Sequence, residues 1–273
     1  MNRRHADIQH DQGGSMNRCT FAMLACGLAL ATCVHADEAP SPTAPPGQDK
    51  SAKTGLLETG AAALQAHGPV KGFDIHLVGF HPMKDKPEQQ MEAHHYCNQV
   101  NEDFAQCVLF DGDSEKANLN GIEYIVSEKV FQSLPAEEKA FWHPHNGEIL
   151  SGQLTAPGIP ERAEKELMRG KMNSYGKTWH VWHTGAEGHP GDVLPLGEPM
   201  LAWSFNRDGE LQPDLMKAHE RRTGRPVDAL RRERADLEAL ARPQSGVDAL
   251  KGRFGRETRD IPGVVDENAA RQP

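Results

Sequence analysis

The sequence predicts an α+β fold: a single domain, mainly an antiparallel sheet with helices packed on it. Three observations carry that prediction. Strand-like segments follow one another at hairpin distance, the helix-like segments are few and open at prolines, and no regular βαβ alternation runs through the chain. Its 273 residues are 37% hydrophobic and 25% charged, enough apolar material for one core. No internal repeat divides it.

The N-terminus reads as a leader. The run "CTFAMLACGLALATCV", Cys19 to Val34, follows a short basic start and ends in "VHA", Val34 to Ala36, with small residues where a signal peptidase needs them. This predicts a signal peptide cleaved after Ala36 and a periplasmic or secreted mature chain. A retained anchor helix, or a lipoprotein box at "LATC", Leu30 to Cys33, are the alternatives. Met16 restarts with "MNR", so residues 1–15 read as a spurious upstream extension. Residues 1–36 carry three arginines and two aspartates, so their loss takes the net charge from −9 to −10. That acidic balance disfavours nucleic acid and anionic lipid headgroups as partners.

Residues 37–54 have the composition of a Pro/Ala-rich linker. "LLETGAAALQAH", residues 56–67, predicts a short helix stopped by Gly68 and Pro69. In the body, 55–225, strands are expected at 73–80, 91–100, 104–111, 121–127, 177–184 and 199–206, and helices at 135–142, 160–172 and 213–222. No body segment reaches the length of a membrane span. Residues 226–273 balance nine Lys/Arg against nine Asp/Glu with few large apolar side chains, which predicts a charged, flexible tail.

Two cysteines survive cleavage, Cys97 and Cys107. If residues 101–103 form a three-residue loop, Val100 faces Phe104 and Cys97 stands opposite Cys107, close enough for a disulfide. Export would let the bond persist. Free thiols packed on one face are the alternative.

The same register sorts "MEAHHYC", residues 91–97, by face, because side chains alternate along a strand. His95 falls on the cysteine face and is assigned to packing, whereas His94 shares the other face with Glu92 and Tyr96. "FWHPHNGE" adds His143 and His145, since an extended His-Pro-His sends both rings to one side, and "KTWHVWHT" adds His180. Glu123, a carboxylate inside the apolar strand "GIEYIV", needs a cation or hydrogen-bond donors. His94, His143, His145 and His180, with Glu123 as ligand or base, therefore form the candidate site, suited to zinc or another divalent transition metal. His81, His183 and His219 are left to the surface or to packing. No HExxH, paired CxxC, G-x-S-x-G, phosphate loop or dinucleotide fingerprint is present.

Several longer motifs occur in order: "MEAHHYCNQVNEDFAQCVLFD", "NGIEYIVSEKVFQSLPAEEKAFWHPH", "SGQLTAPGIP", "YGKTWHVWHT" and "LPLGEPMLAWSFNRDGEL". From about Val70 to Gly224 the chain resembles the plant oil body-associated protein family and its fungal and bacterial relatives. The resemblance implies a domain of unknown function whose plant members associate with seed lipid droplets, and it supplies no catalytic residue to carry over. Lipid association follows from the resemblance alone; the acidic charge and the lack of a long amphipathic helix oppose it. The expected function is a His-rich module that binds a metal or small ligand. The alternatives are a metal-dependent enzyme of hydrolase type, with Glu123, Glu148 or Glu92 as base, and a lipid-surface protein.

Overall fold

The computed structural model describes residues 38–39, 41–186 and 188–270. The leader and upstream extension expected over 1–36 lie outside them. Helix α1, Ala52–Leu64, is capped by Ser51 and buries none of its residues. Four long strands follow: β1, Ile75–Pro82; β2, Gln90–Asn101; β3, Phe104–Phe110; and β4, Leu119–Val126. Short helices α2, Glu128–Ser133, and α3, Ala136–Lys139, lead to β5, His143–Pro144, and to α4, Asn146–Ser151. Helix α5, Glu161–Lys171, precedes β6, Tyr175–His180. The small hairpin β7, Gly185–Ala186, with β8, His189–Pro190, then leads to β9, Met200–Leu201, and β10, Arg207–Asp208. Helices α6, Pro213–Thr223, and α7, Val227–Glu233, the short strand β11, Arg259–Asp260, and helix α8, Glu267–Ala270, complete the chain. Among the described residues no helix is long and apolar enough to cross a membrane.

The sheet runs β1-β2-β3-β4-β6-β5, with β9 also on β6, and every pair is antiparallel, as the hairpin spacing predicts. It curls until Met83, just past β1, bridges Ala202, just past β9. Cys97 pairs with Cys107 and the two are joined by a disulfide. The turn differs from the expected three-residue loop: Asn101 pairs with Phe104 and a bulge falls between Gln99 and Asn101. One residue fewer in the turn and one extra in the bulge leave the cysteines in the same register.

Ile75, Cys97, Cys107, Glu123 and Thr178 stand in one row across β1, β2, β3, β4 and β6; Leu77, His95, Leu109, Gly121 and His180 stand in the next inward-facing row. This is the concave, buried face.

The last segment departs from expectation. Residues 226–270 are not a flexible tail. Leu237, Val247, Ile261 and Val264 pack into the core with Leu77, Leu109, Ile149 and Met168, while Leu250 and Phe254 join Trp203 and Phe205 in a second cluster. Polar anchors hold it: Arg207 bonds Asp260 and Asp248, Arg231 bonds Asp208, and the buried Arg234 lies 3.3 Å from Glu164. Its apolar residues are sparse and without helical or strand period, so composition hides a covering that tertiary contacts create. The Pro/Ala-rich segment is also partly pinned, for the Thr43 hydroxyl donates to the Thr184 carbonyl at 2.7 Å and Asn118 Nδ2 donates to the Thr43 carbonyl at 2.7 Å.

Candidate metal centre

Glu123 reaches the concave face because β4 places it directly opposite Cys107. It is 2% exposed, and four imidazoles surround it. His145 Nε2 lies 3.3 Å and His143 Nε2 3.6 Å from Glu123 Oε1, while His95 Nε2 lies 2.9 Å from Oε2. His81, at the end of β1, completes a group with His95 and Glu123, and another with His143 and Glu148. Separations near 3.4 Å are about those between donors in a tetrahedral shell of radius 2.0–2.1 Å.

The outer hydrogen bonds of these rings fix where their protons sit. His95 Nδ1 donates to the Ala93 carbonyl at 3.0 Å. The Ser174 hydroxyl donates to the Lys171 carbonyl at 2.6 Å, so it accepts from His145 Nδ1 at 2.8 Å. Each ring then turns a lone pair from Nε2 toward the carboxylate unless it carries a second proton. His143 forms no hydrogen bond through either nitrogen. His180 Nδ1 donates to the Asn120 carbonyl, so its Nε2 accepts from His81 Nδ1 at 3.0 Å. His180 thus supports His81 from behind.

Electrostatics follows the burial. Burial, with His145 close by, pushes His143 down to about 3, and burial takes His180 to about 3. Burial and the neighbouring His95 and His180 hold His81 well below the usual imidazole value. For Glu123 burial works upward, and it is hydrogen bonds from His145 and His95 in their doubly protonated form that outweigh it and hold the carboxyl well below its usual range. Burial and the Glu123 charge push Glu148 well above the usual carboxyl value, favouring its protonated form. A cavity of about 20 Å³, lined by His81, His95, Glu123, His145, Glu148 and Lys171 among others, leaves room for about one water or ion.

Gly176 on β6 keeps this space open. A β-carbon there would sit 2.1 Å from Glu123 Oε1 and 2.6 Å from both His143 Nε2 and His145 Nε2, so no side chain fits. The C-terminal segment braces the same corner. Gln244 accepts from the Asn146 amide at 3.0 Å and donates to the Ser174 carbonyl at 2.9 Å.

Of the residues singled out from sequence, the structure brings Glu123, His143 and His145 together, and places His180 one layer back. His94 is on the opposite face, where its Nδ1 meets His76 Nε2 at 3.2 Å. Its neighbour His95, assigned to packing, takes the inner place, because the cysteine face is the concave face. His81, assigned to surface or packing, is 1% exposed and belongs to the cluster. Strand parity could have found both, since His81 is an even number of residues from Leu77 on β1, which pairs with His95.

Residues 67–238 match a family described as "Protein of unknown function (DUF1264)". The maize oil body-associated protein 1A is 36% identical over 232 residues, covering 83% of this chain and 94% of that one. The maize oil body-associated protein 2A is 41% identical over 205 residues, covering 74% and 80%. The chain belongs to the oil body-associated protein family. An Arabidopsis thaliana member, oil body-associated protein 1B, is 36% identical over 223 residues, covering 82% of this chain and 89% of its own. No solved structure matches the chain.

Proposed function

We propose that this member of the oil body-associated protein family binds one divalent transition-metal ion, zinc suiting the donors best, through Glu123 Oε1, His143 Nε2 and His145 Nε2. His95 stands against the other carboxylate oxygen, and His81 borders the open side. The observation that carries the reading is the convergence of three donor atoms, one each from Glu123, His143 and His145, within 4.8 Å of one another in the buried interior. His143 Nε2 is unpartnered, and His145 Nδ1 already spends its proton on Ser174. The competing account is a set of buried imidazolium rings around one carboxylate, which leaves more charge in the interior than the carboxylate can offset. Two imidazoles and a carboxylate with an open position also form a recurring ligand set for zinc.

Elemental analysis of protein made without a histidine tag tests this: about one equivalent of a divalent transition metal is expected after dialysis against zinc. A wild-type chain that retains none overturns it.

A second reading, a metal-dependent hydrolase, has Glu148 on its side. Its carboxyl Oε2 is 4.0 Å from His145 Nε2 beside the small cavity, where its protonated form could give a proton to a leaving group as general acid. Turnover of ester or amide probes by the metal-loaded chain separates it from a binding module. The family names of the maize and Arabidopsis relatives bring a third, lipid association, supported here by the exposed Leu56, Leu57 and Leu64 of α1 and opposed by the acidic charge. We also propose export with cleavage after Ala36, supported by the order of basic start, apolar run and "VHA" triplet and compatible with the disulfide. Intact mass of the periplasmic or secreted protein should begin at Asp37.

A further inference from the structure

A second site lies on the outer face of β2. Glu92 and His94 project there, away from the metal cluster, beneath helix α6 and the β7–β8 hairpin. They line a cavity of about 250 Å³ together with Asp111, Leu215, Ala218 and Arg222. Most of the remaining wall is alanine, glycine and proline. A mostly apolar pocket with a few convergent polar atoms is the usual form of a small-molecule site, and this one is smaller than the ~300 Å³ at which drug-sized pockets begin.

The polar atoms have specific unmet needs. His94 is 2% exposed, and its Nε2 makes no hydrogen bond although Glu92 Oε1 is 3.4 Å away. Its Nδ1 faces His76 Nε2 at 3.2 Å, so one of the two rings donates to the other. With His76 as donor, His94 carries its proton on Nε2, the form favoured beside a carboxylate. Glu92 receives His219 and Arg222 on Oε1 alone, and among the described residues nothing donates to its Oε2. Asp111 is satisfied, accepting from Ser41 Oγ and from Asn118 through both its backbone amide and Nδ2. A bound head group must therefore accept from His94 Nε2 and donate to Glu92 Oε2.

We propose that this cavity binds a small neutral alcohol or phenol, its hydroxyl held between His94 and Glu92 and its apolar body against Leu215 and Ala218. A hydroxyl both donates and accepts. A carboxylate head would meet the Glu92 charge without a proton to give. An ammonium head would have no lone pair for His94.

The test uses three probes with one body: benzyl alcohol, benzoate and benzylamine, titrated against the mature, metal-loaded chain by ligand-observed NMR. Benzyl alcohol should bind at least tenfold more tightly than either of the others. His94→Phe removes the donor and Ala218→Leu narrows the wall; each should weaken benzyl alcohol by tenfold or more while metal content and the folded spectrum stay unchanged. Equal binding of all three probes, no binding of benzyl alcohol, or full binding by both folded variants overturns the proposal. Unchanged metal content in these variants keeps this outcome separate from that of the metal site.

Discussion

The two faces of the sheet present the same chemistry, a carboxylate beside histidines, with opposite outcomes: Glu92 on β2 outside and Glu123 on β4 inside. Outside, Glu92 meets the Arg222 guanidinium as well as His94 and His219, so its charge has a permanent cation within the protein. Inside, among the described residues the ion-pair partners of Glu123 are imidazoles, two of which already donate their proton elsewhere, and Lys171 borders the cavity without pairing with it. A carboxylate paired with arginine has its charge offset even where one oxygen lacks a donor; one ringed by lone pairs does not. In the proposed site, what suits the histidine cluster to a metal is the protons its outer hydrogen bonds take away, and not the number of rings.

The comparison breaks most directly at Gly176. Gly176→Ala would place a methyl among Glu123 Oε1, His143 Nε2 and His145 Nε2, and metal affinity should fall by roughly a thousandfold or more because close-packed interiors absorb such overlap poorly. Chelator competition measures it, with circular dichroism showing whether the fold survives. A folded Gly176→Ala chain that keeps wild-type affinity would move the ion away from this corner.

The outer face offers the complementary break. Burial raises the Glu92 carboxyl, but the His219 hydrogen bond and the Arg222 charge bring it well below the usual value. Its folded value is thus lower than its unfolded value of about 4.3, so its contribution is fully present above that pH and is lost as pH falls toward the folded value. Glu92→Gln should cost about 3 kcal/mol at pH 7, since it removes the charge shared by His219 and Arg222, and should flatten the loss of thermal stability below about pH 4. An unchanged acid limb in the variant would mean that Glu92 is not the group that titrates.

His145→Ala against His94→Ala sharpens the contrast across the strand. The first should weaken metal binding by roughly a hundredfold and the second should leave it within a factor of about two, because only His145 reaches Glu123 Oε1. Chelator titrations of both variants decide between the faces, and equal losses would erase the distinction.

Much of this geometry was legible in the sequence. Loop length and alternation place Cys97 opposite Cys107, and the bulge near Val100 compensates for the shorter turn without disturbing that register. The same parity separates His94 from His95. What it lacks is a label for the concave side, since a disulfide pair looks like packing and a histidine beside it looks like filler. Glu123, opposite Cys107, carried the missing information: a carboxylate in that row makes the cysteine face the polar interior. The C-terminal segment stayed hidden for another reason. Leu237, Val247 and Val264 follow no period because a short 3-10 helix over Ala235–Leu240 and irregular backbone deliver them, and contacts such as Gln244 to Ser174 are invisible until the chain is folded.

The smallest expected effect tests the outer hydrogen bonds themselves. The Ser174 hydroxyl accepts from His145 Nδ1 and donates to the Lys171 carbonyl, and so keeps the His145 proton away from Glu123. In Ser174→Ala the ring is free to carry its proton on Nε2, where it would satisfy the carboxylate directly and compete with the ion. Metal affinity should fall about tenfold, the lower end of what loss of a supporting partner does. The metal-free chain should lose only about 1 kcal/mol, because the new bond from His145 to Glu123 offsets part of what is removed. A structural hydroxyl predicts the reverse pattern, with stability lost in the metal-free chain and affinity unmoved. Chelator competition and thermal unfolding of the metal-free variant, run side by side, distinguish the two; the reverse pattern would show that His145 does not ligate.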